Sequence, residues 1–263
     1  MKLAVAGAGG KMGRALIEAI EQDGALELAA ALDAPGSPAI GQRVEEKQAD
    51  EIKVSSDIAA AVKACDVLID FTRPEGTMAH LAACAKQSRS MVIGTTGFTA
   101  AQLRAIGDAA KRIPIVMSPN FAVGVNVLFK LAETAAGALA DGYDVEIVEA
   151  HHRHKVDAPS GTALKLGQVI AGALGRDLKK VAIFGREGET GARPAKAIGF
   201  HAVRGGDIVG EHTVLFAGTG ERLELTVRSQ SRMTYAQGAV RAAKWLRKKP
   251  AGLYDMFDVL GLR

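Results

Sequence analysis

Along roughly the first 120 residues, short aliphatic runs alternate with longer alanine-rich stretches, the pattern of a parallel sheet with crossover helices. The runs predict strands at Leu3 to Ala6, Leu26 to Leu32, Asp66 to Phe71, Met91 to Ile93 and Ile115 to Met117. Helices are expected between them, near Met12 to Glu21, Ile58 to Ala64, Glu75 to Gln87 and Ala101 to Lys111. Ser56 and Thr99 are candidate N-caps, and Pro74 stands where a first helical turn tolerates proline. This is the pattern of a doubly wound α/β unit.

After Asn126 the pattern changes. An apolar helix through about Leu139 leads into a strand from Tyr143 to Glu149, followed by a segment rich in His, Arg and Lys and a helix from Thr162 to Leu174. From Val181 onward strands and glycine-rich turns dominate, with a hairpin expected where Thr213 to Phe216 and Arg222 to Val227 flank Ala217-Gly218-Thr219-Gly220. This half reads as α+β. A last helix, Gln237 to Lys248, could pack on either part.

A chain of 263 residues is long enough for two such domains, each with its own core. The net charge of +4 comes from 33 basic and 29 acidic side chains dispersed along the chain, which argues against a nucleic-acid partner and suits a small anionic substrate. Cys65 and Cys84 fall in a predicted buried strand and the following helix, as ordinary core residues. The opening residues lack the form of a signal peptide, and no apolar stretch of ~20 residues exists to cross a bilayer, so a cytoplasmic protein without a membrane partner is expected.

The first strand runs into Gly7-Ala8-Gly9-Gly10-Lys11-Met12-Gly13 and then a helix. Such a turn brings helix-terminal N–H groups to a pyrophosphate. Met12 breaks the strict G-x-G-x-x-G form, leaving Gly7-x-x-Gly10-x-x-Gly13. Asp33 ends the second predicted strand, where an acid accepts hydrogen bonds from an adenosine ribose. Strand, turn, helix and acid together point to a dinucleotide, and no P-loop spacing is present. Two more turns follow predicted strands, Gly94-Thr95-Thr96-Gly97 and Ser118-Pro119-Asn120-Phe121; both fall where a doubly wound sheet lines its ligand crevice.

The segment His151-His152-Arg153-His154-Lys155 concentrates three of the six histidines. No H-E-x-x-H or paired cysteines accompany it, so no metal is expected, and an anion-binding catalytic loop fits better than a merely solvated basic loop. Ser160-Gly161-Thr162 at a helix start could hold a carboxylate through backbone and hydroxyl donors, or serve only as an N-cap.

The run from Glu149 through Ala163, EAHHRHKVDAPSGTA, resembles the signature of the 4-hydroxy-tetrahydrodipicolinate reductase (dihydrodipicolinate reductase) family of diaminopimelate and lysine biosynthesis. The resemblance extends to Asp70 to Thr77, Gly94 to Phe98, Asn120 to Asn126 and Gly205 to His212, and so spans the chain. It implies a Rossmann-like dinucleotide-binding domain at 1–122 plus 232–263, and an α+β substrate-binding and tetramerisation domain at 123–231. It further implies reduction of a cyclic 4-hydroxy dicarboxylate with loss of water, using NADH or NADPH. By resemblance, His151 and Lys155 are the catalytic proton carriers, and His152, Lys155, Gly161 and Thr162 bind the substrate carboxylates. Gly7, Ala8, Gly9, Gly10, Lys11, Met12 and Asp33 would contact the dinucleotide, with Gly94, Thr95, Thr96, Ser118, Pro119, Asn120 and Phe121. The family often places an Arg after the ribose-binding acid; here Ala34 follows Asp33, which favours NADH at least as much as NADPH. The rival readings are another two-domain NAD(P)-dependent oxidoreductase and a non-catalytic dinucleotide sensor. Roles for Arg186 to Gly188 and Arg232 to Thr234 stay open.

Overall fold

The computed structural model describes residues 1–44 and 52–263. They form two compact units, Met1–Val123 with Arg232–Arg263, and Gly124–Ser231. In the first, β1 (Lys2–Ala6), α1 (Lys11–Glu21), β2 (Glu27–Leu32), β3 (Val54–Ser55), α2 (Ile58–Ala64), β4 (Val67–Asp70), α3 (Pro74–Lys86), β5 (Ser90–Ile93), α4 (Ala100–Ala110) and β6 (Pro114–Met117) follow in chain order. Helix α5 (Val123–Ala138) leads into the second unit, with β7 (Asp144–His151), α6 (Gly161–Ala173), α7 (Leu178–Val181), β8 (Ala182–Phe184), β9 (Ile198–Arg204), β10 (Gly210–Ala217) and β11 (Arg222–Ser229). The chain then returns to the first unit as α8 (Met233–Leu246), β12 (Gly252–Tyr254) and α9 (Met256–Leu260).

The first unit is a seven-stranded sheet in the order β12-β6-β5-β4-β1-β2-β3, with every neighbouring pair parallel. Strand β1 sends its alternate side chains to opposite faces, as the two-residue period requires. Leu3 and Val5 join Leu16, Ile20, Ala239 and Leu246 from α1 and α8, whereas Ala4 and Ala6 join Val62, Leu81, Cys84 and Ile106 from α2, α3 and α4. Each fully buried Leu or Ile contributes roughly 1.5–3 kcal/mol relative to exposure. Helix α8 reaches its place because Gly238 has no side chain: a Cβ there would overlap the Phe121 carbonyl oxygen. Strand order reverses between β1 and β4, so the carboxyl ends of these two strands flank the ligand crevice of a doubly wound sheet.

The second unit carries a five-stranded mixed sheet, β11-β10-β7-β9-β8. Helix α6 packs across β7, β9 and β10, burying Ala163, Leu166 and Ile170. The expected hairpin is present as β10 and β11.

Several expectations need correction. Asp57, and not Ser56, caps α2, its carboxylate accepting the Ala60 N–H at 3.0 Å. Cys65 lies at the end of α2, one step before the strand expected to contain it, and both cysteines are buried and free. Strand β7 runs on to His151, past the expected end at Glu149, because Ala150 and His151 still pair with Val203 and Arg204 of β9. The helix expected at Gln237 to Lys248 runs from Met233 to Leu246 and packs in the first unit, with the short α9 after it. Short elements at β3, β12, α7 and α9 carry too few residues to show a period. Among the described residues no helix is long and apolar enough to cross a membrane.

Candidate active site

In the first unit, the turn after β1 is drawn onto the end of β2. The N–H groups of Gly7 and Ala8 both donate to the Leu32 carbonyl at 2.9 Å, and the Gly9 N–H donates to Asp33 Oδ2 at 2.9 Å. A Cβ on Gly9 would stand 2.5 Å from that same carboxylate oxygen, and one on Gly13 would overlap the Gly7 carbonyl. Glycine at these positions therefore keeps α1 pressed against the turn and the turn against Asp33. Gly10 is the N-cap of α1 and supplies no side-chain cap, so Lys11 and Met12 open the helix with their backbone donors available to an anion. This cradle fits the pyrophosphate and ribose of a dinucleotide.

The two other expected cofactor turns lie at the carboxyl ends of β5 and β6 in the same sheet. Thr95 is buried, its hydroxyl donating to Asp70 at 3.2 Å, whereas Thr96 is exposed. The Ser118 hydroxyl donates to the Asn120 carbonyl at 2.8 Å, holding the turn that ends in buried Phe121. The Phe121 ring lies 5.5 Å from that of Phe71, which follows β4.

In the second unit, Val145, Ile147, Glu149 and His151 occupy the buried face of β7. His151 Nδ1 is 2.5 Å from Glu149 Oε2. Glu149 also accepts two bonds from Arg204, at 2.7 and 2.8 Å, and the Ser160 N–H at 3.1 Å. Burial pushes the Glu149 carboxyl up, but the hydrogen bonds from Arg204 and His151 outweigh it and leave the group ionised below its usual range. A carboxylate only accepts, so His151 carries its proton on Nδ1 and presents Nε2 as the exchanging nitrogen. Burial holds His151 below its ordinary pKa, the attraction of Glu149 only partly offsetting it, with Lys155 and Arg204 adding to the depression.

Around this pair stand the residues expected to hold carboxylates. Ser160 caps α6 by accepting the Ala163 N–H at 3.2 Å, and its hydroxyl is 3.1 Å from His212 Nε2. His212 is buried edge-on to His151 with ring centroids 5.2 Å apart, and burial pushes it down to about 4. Gly161 and Thr162 are the first residues of α6, the end of a helix that favours an anion. Lys155 Nζ pairs with Asp157 at 2.8 Å on a loop whose Lys155 N–H donates to the His152 carbonyl at 3.1 Å. The Nδ1 atoms of His152 and His212 are buried without a partner among the described residues, leaving polar capacity beside the loop. All five of these residues lie in the second unit: His152 and Lys155 follow His151 along one loop, and Gly161 and Thr162 follow Ser160, whose N–H donates to Glu149.

Glu149, Arg204 and His212 had no role in the sequence reading. The alternation Val145, Ile147, Glu149, His151 signals the first; Arg204 is distant in sequence, and no local pattern marks it. Arg186 is structural here: with Arg193 and His201 it holds Glu146, on the opposite face of β7, and drives that carboxyl down to about 2 against its burial.

Residues 1–121 match the family model described as dihydrodipicolinate reductase, N-terminus, and residues 124–260 match that for the C-terminus. The chain belongs to the dihydrodipicolinate reductase family. Among relatives named 4-hydroxy-tetrahydrodipicolinate reductase, one from Cupriavidus metallidurans is 59% identical and one from Dechloromonas aromatica 58% identical. The alignments cover 100% of this chain in both cases, and 100% and 98% of the respective relatives. A solved structure described as dipicolinate-bound dihydrodipicolinate reductase from Paenisporosarcina sp. TG-14 is 30% identical, covers 98% of both chains and superposes with a TM-score of 0.81. The family's C-terminal region, as matched here, includes α8 and β12, which the structure places in the first unit.

Proposed function

We propose that this reductase converts 4-hydroxy-tetrahydrodipicolinate to tetrahydrodipicolinate with loss of water, in diaminopimelate and lysine biosynthesis, oxidising NADH or NADPH. It is an NAD(P)-dependent oxidoreductase of the dihydrodipicolinate reductase family. The observation that carries the residue assignment is the buried Glu149–His151 pair beside the N-terminus of α6. The bound dinucleotide supplies the hydride.

The chain's own residues manage charge and protons. The donors at the start of α6, the Thr162 hydroxyl, His152 and Lys155 bind the two substrate carboxylates, Lys155 exchanging its Asp157 partner for one of them. The arriving dianion raises the proton affinity of His151, which then holds a proton on Nε2 for the electron-rich ring that follows reduction. Glu149 stabilises the imidazolium and fixes its orientation; Arg204 keeps Glu149 ionised and still. Lys155 is the second proton donor.

In the first unit, Asp33 accepts from the ribose hydroxyls, the turn from Gly7 to Gly10 lets the pyrophosphate approach and the Lys11 and Met12 N–H groups bind it, with the turns at Gly94 to Thr96 and Ser118 to Phe121 completing the contacts. NADH serves at least as well as NADPH, since Asp33 repels a 2′-phosphate and Ala34 offers it nothing. The second unit's sheet, which exposes Phe184, Val203 and Leu223, assembles a homotetramer, and the enzyme works in the cytoplasm. The deciding assay mixes purified protein, NADH and freshly generated substrate. Loss of the reduced-nicotinamide absorbance is expected; cofactor binding without turnover would support a sensor instead. Light scattering of the same sample tests the tetramer.

A further inference from the structure

At the end of β4, the Asp70 side chain is fully buried and takes no part in the chemistry described above. Its Oδ1 accepts the Thr72 N–H at 2.9 Å, the Thr72 hydroxyl at 2.7 Å and the Thr95 hydroxyl at 3.2 Å. Its Oδ2 lies 2.8 Å from His80 Nδ1, which must be the donor, since a carboxylate has no proton to give. The Thr77 hydroxyl donates to Thr95 Oγ1 at 2.9 Å, and the Thr72 N–H reaches the same oxygen at 3.0 Å. Thr77, His80 and Thr95 are buried with Asp70. One carboxylate thereby joins three places: the turn after β4, the turn after β5 and the first half of α3.

Two neighbours connect this cluster to the dinucleotide cradle. The Phe71 carbonyl and the Thr72 methyl stand 3.0 and 3.3 Å from where a Gly7 Cβ would be, so the turn after β4 forms a wall of the glycine turn. The Phe71 ring lies where a side chain on Gly94 would be, so the turn after β5 is packed against the same residue pair. Buried ionic clusters are often no more stabilising than apolar side chains of similar volume. What this one adds is geometry: fixed bond directions between two turns that an apolar core would leave free to slide.

We propose that Asp70 and His80 are positioning residues of the dinucleotide site, locking the turns after β4 and β5 to each other so that Gly7, Thr72 and Gly94 to Thr95 meet the dinucleotide already arranged for it. This rests on the reading that the first unit binds NADH or NADPH. Neither side chain needs to touch the dinucleotide; Asp70 acts through Thr72 and Thr95, and His80 acts through Asp70. Prearranged turns lower the ordering cost of binding, and that benefit disappears when the lock is broken.

The test is direct titration of NADH into the full-length protein, with melting temperature and steady-state kinetics recorded on the same samples. Asp70→Asn and His80→Leu are expected to weaken NADH binding by about tenfold and to raise KM for NADH in parallel, while KM for the cyclic dicarboxylate stays within about twofold. His80→Asn places an amide N–H near the position of Nδ1, so it should restore most of the affinity lost in His80→Leu. A purely structural role would lower the melting temperature of the folded variants but leave their NADH affinity unchanged, and that result would overturn the proposal. Should Asp70→Asn and His80→Leu fail to fold, Thr77→Val decides: it removes one hydroxyl at constant volume, about threefold weaker NADH binding is expected, and unchanged binding overturns the proposal. Wild-type protein that does not bind NADH would be a different failure, that of the cofactor reading itself.

Discussion

Glu149 and His151, two residues apart on the buried face of β7, share a hydrogen bond of 2.5 Å, and the carboxylate is the acceptor. The bond selects the Nδ1–H tautomer and leaves Nε2 to exchange protons. Glu149→Gln should lower kcat by roughly 10- to 1000-fold, because an amide can stabilise the wrong tautomer and cannot balance an imidazolium. NADH affinity should be unchanged, since Glu149 lies in the second unit and the proposed dinucleotide site in the first. Turnover within twofold of wild type, in a folded variant, would rule out the pair as the proton-handling centre.

The depressed pKa of His151 gives a pH signature. Protonated His151 is scarce in the free protein above its lowered pKa, which lies below 6.5, so kcat/KM should fall as pH rises through that value. The bound dianion raises the same group, so the corresponding limb of kcat should lie at higher pH. His151→Gln should abolish both limbs and reduce turnover by roughly 10²- to 10⁴-fold. Unaltered pH profiles in that variant would remove His151 from the mechanism.

Pyridine-2,6-dicarboxylate carries two carboxylates on a planar ring and should compete with the substrate. Lys155→Ala and Thr162→Ala should each weaken its binding by about tenfold, the loss of one charged or one well-placed donor. Calorimetric titration checks this, and equal affinity in both variants would relocate the carboxylate site.

His212 makes stability depend on pH in a known direction. Its folded-state pKa of about 4 lies below the ordinary 6.5, so between these values the unfolded chain binds a proton that the folded chain does not. Stability attributable to keeping His212 neutral is therefore present above pH 6.5 and lost as pH falls toward 4. The difference in proton affinity between the two states makes that loss about 3 kcal/mol. Urea unfolding of His212→Phe should show a flatter pH dependence over this range, and a slope identical to wild type would contradict the assignment.

On cofactor choice, catalytic efficiency with NADH should equal or exceed that with NADPH, and Asp33→Ala should shift the ratio toward NADPH. The carboxylate that would oppose a 2′-phosphate is held in place by the Gly9 and Ala34 N–H groups at 2.9 and 2.8 Å. A wild-type preference for NADPH above about tenfold would show that other cations outweigh this repulsion.

Much of this was legible in the sequence wherever a period was long enough to read. The strands of the first unit are apolar on both faces and bounded by turns, and α3 and α4 announce themselves through Pro74 and the N-cap Thr99, which the structure completes as a capping box with Gln102. The glycine turn and Asp33 could be paired from their spacing alone, and the structure joins them through the Gly9 N–H. What escaped was either very short or set by distant pairing. The end of β7 is fixed by β9, so His151 read as loop although it is strand. Arg204 and His212 reach Glu149 and Ser160 from other strands, and Asp70 meets His80 and Thr95 only once two turns have folded together. Glu149 shows in the alternation along β7, but partners brought together from separate elements leave no local trace.

The return of α8 and β12 to the first sheet gives the chain an order of assembly on the ribosome. The glycine turn is translated before α8, and although α1 covers part of the same side of the sheet, the part that α8 covers stays bare and β6 stays an open edge until α8 and then Gly252–Tyr254 have emerged. Residues 124–231 can meanwhile collapse around their own sheet. The portion that begins earliest is thus closed last, and a nascent chain stalled beyond Ser231 would expose the apolar surface that Ala239, Ala243 and Leu246 normally seal. A frameshift within α8 would therefore leave unsealed a sheet whose first strand was made long before it.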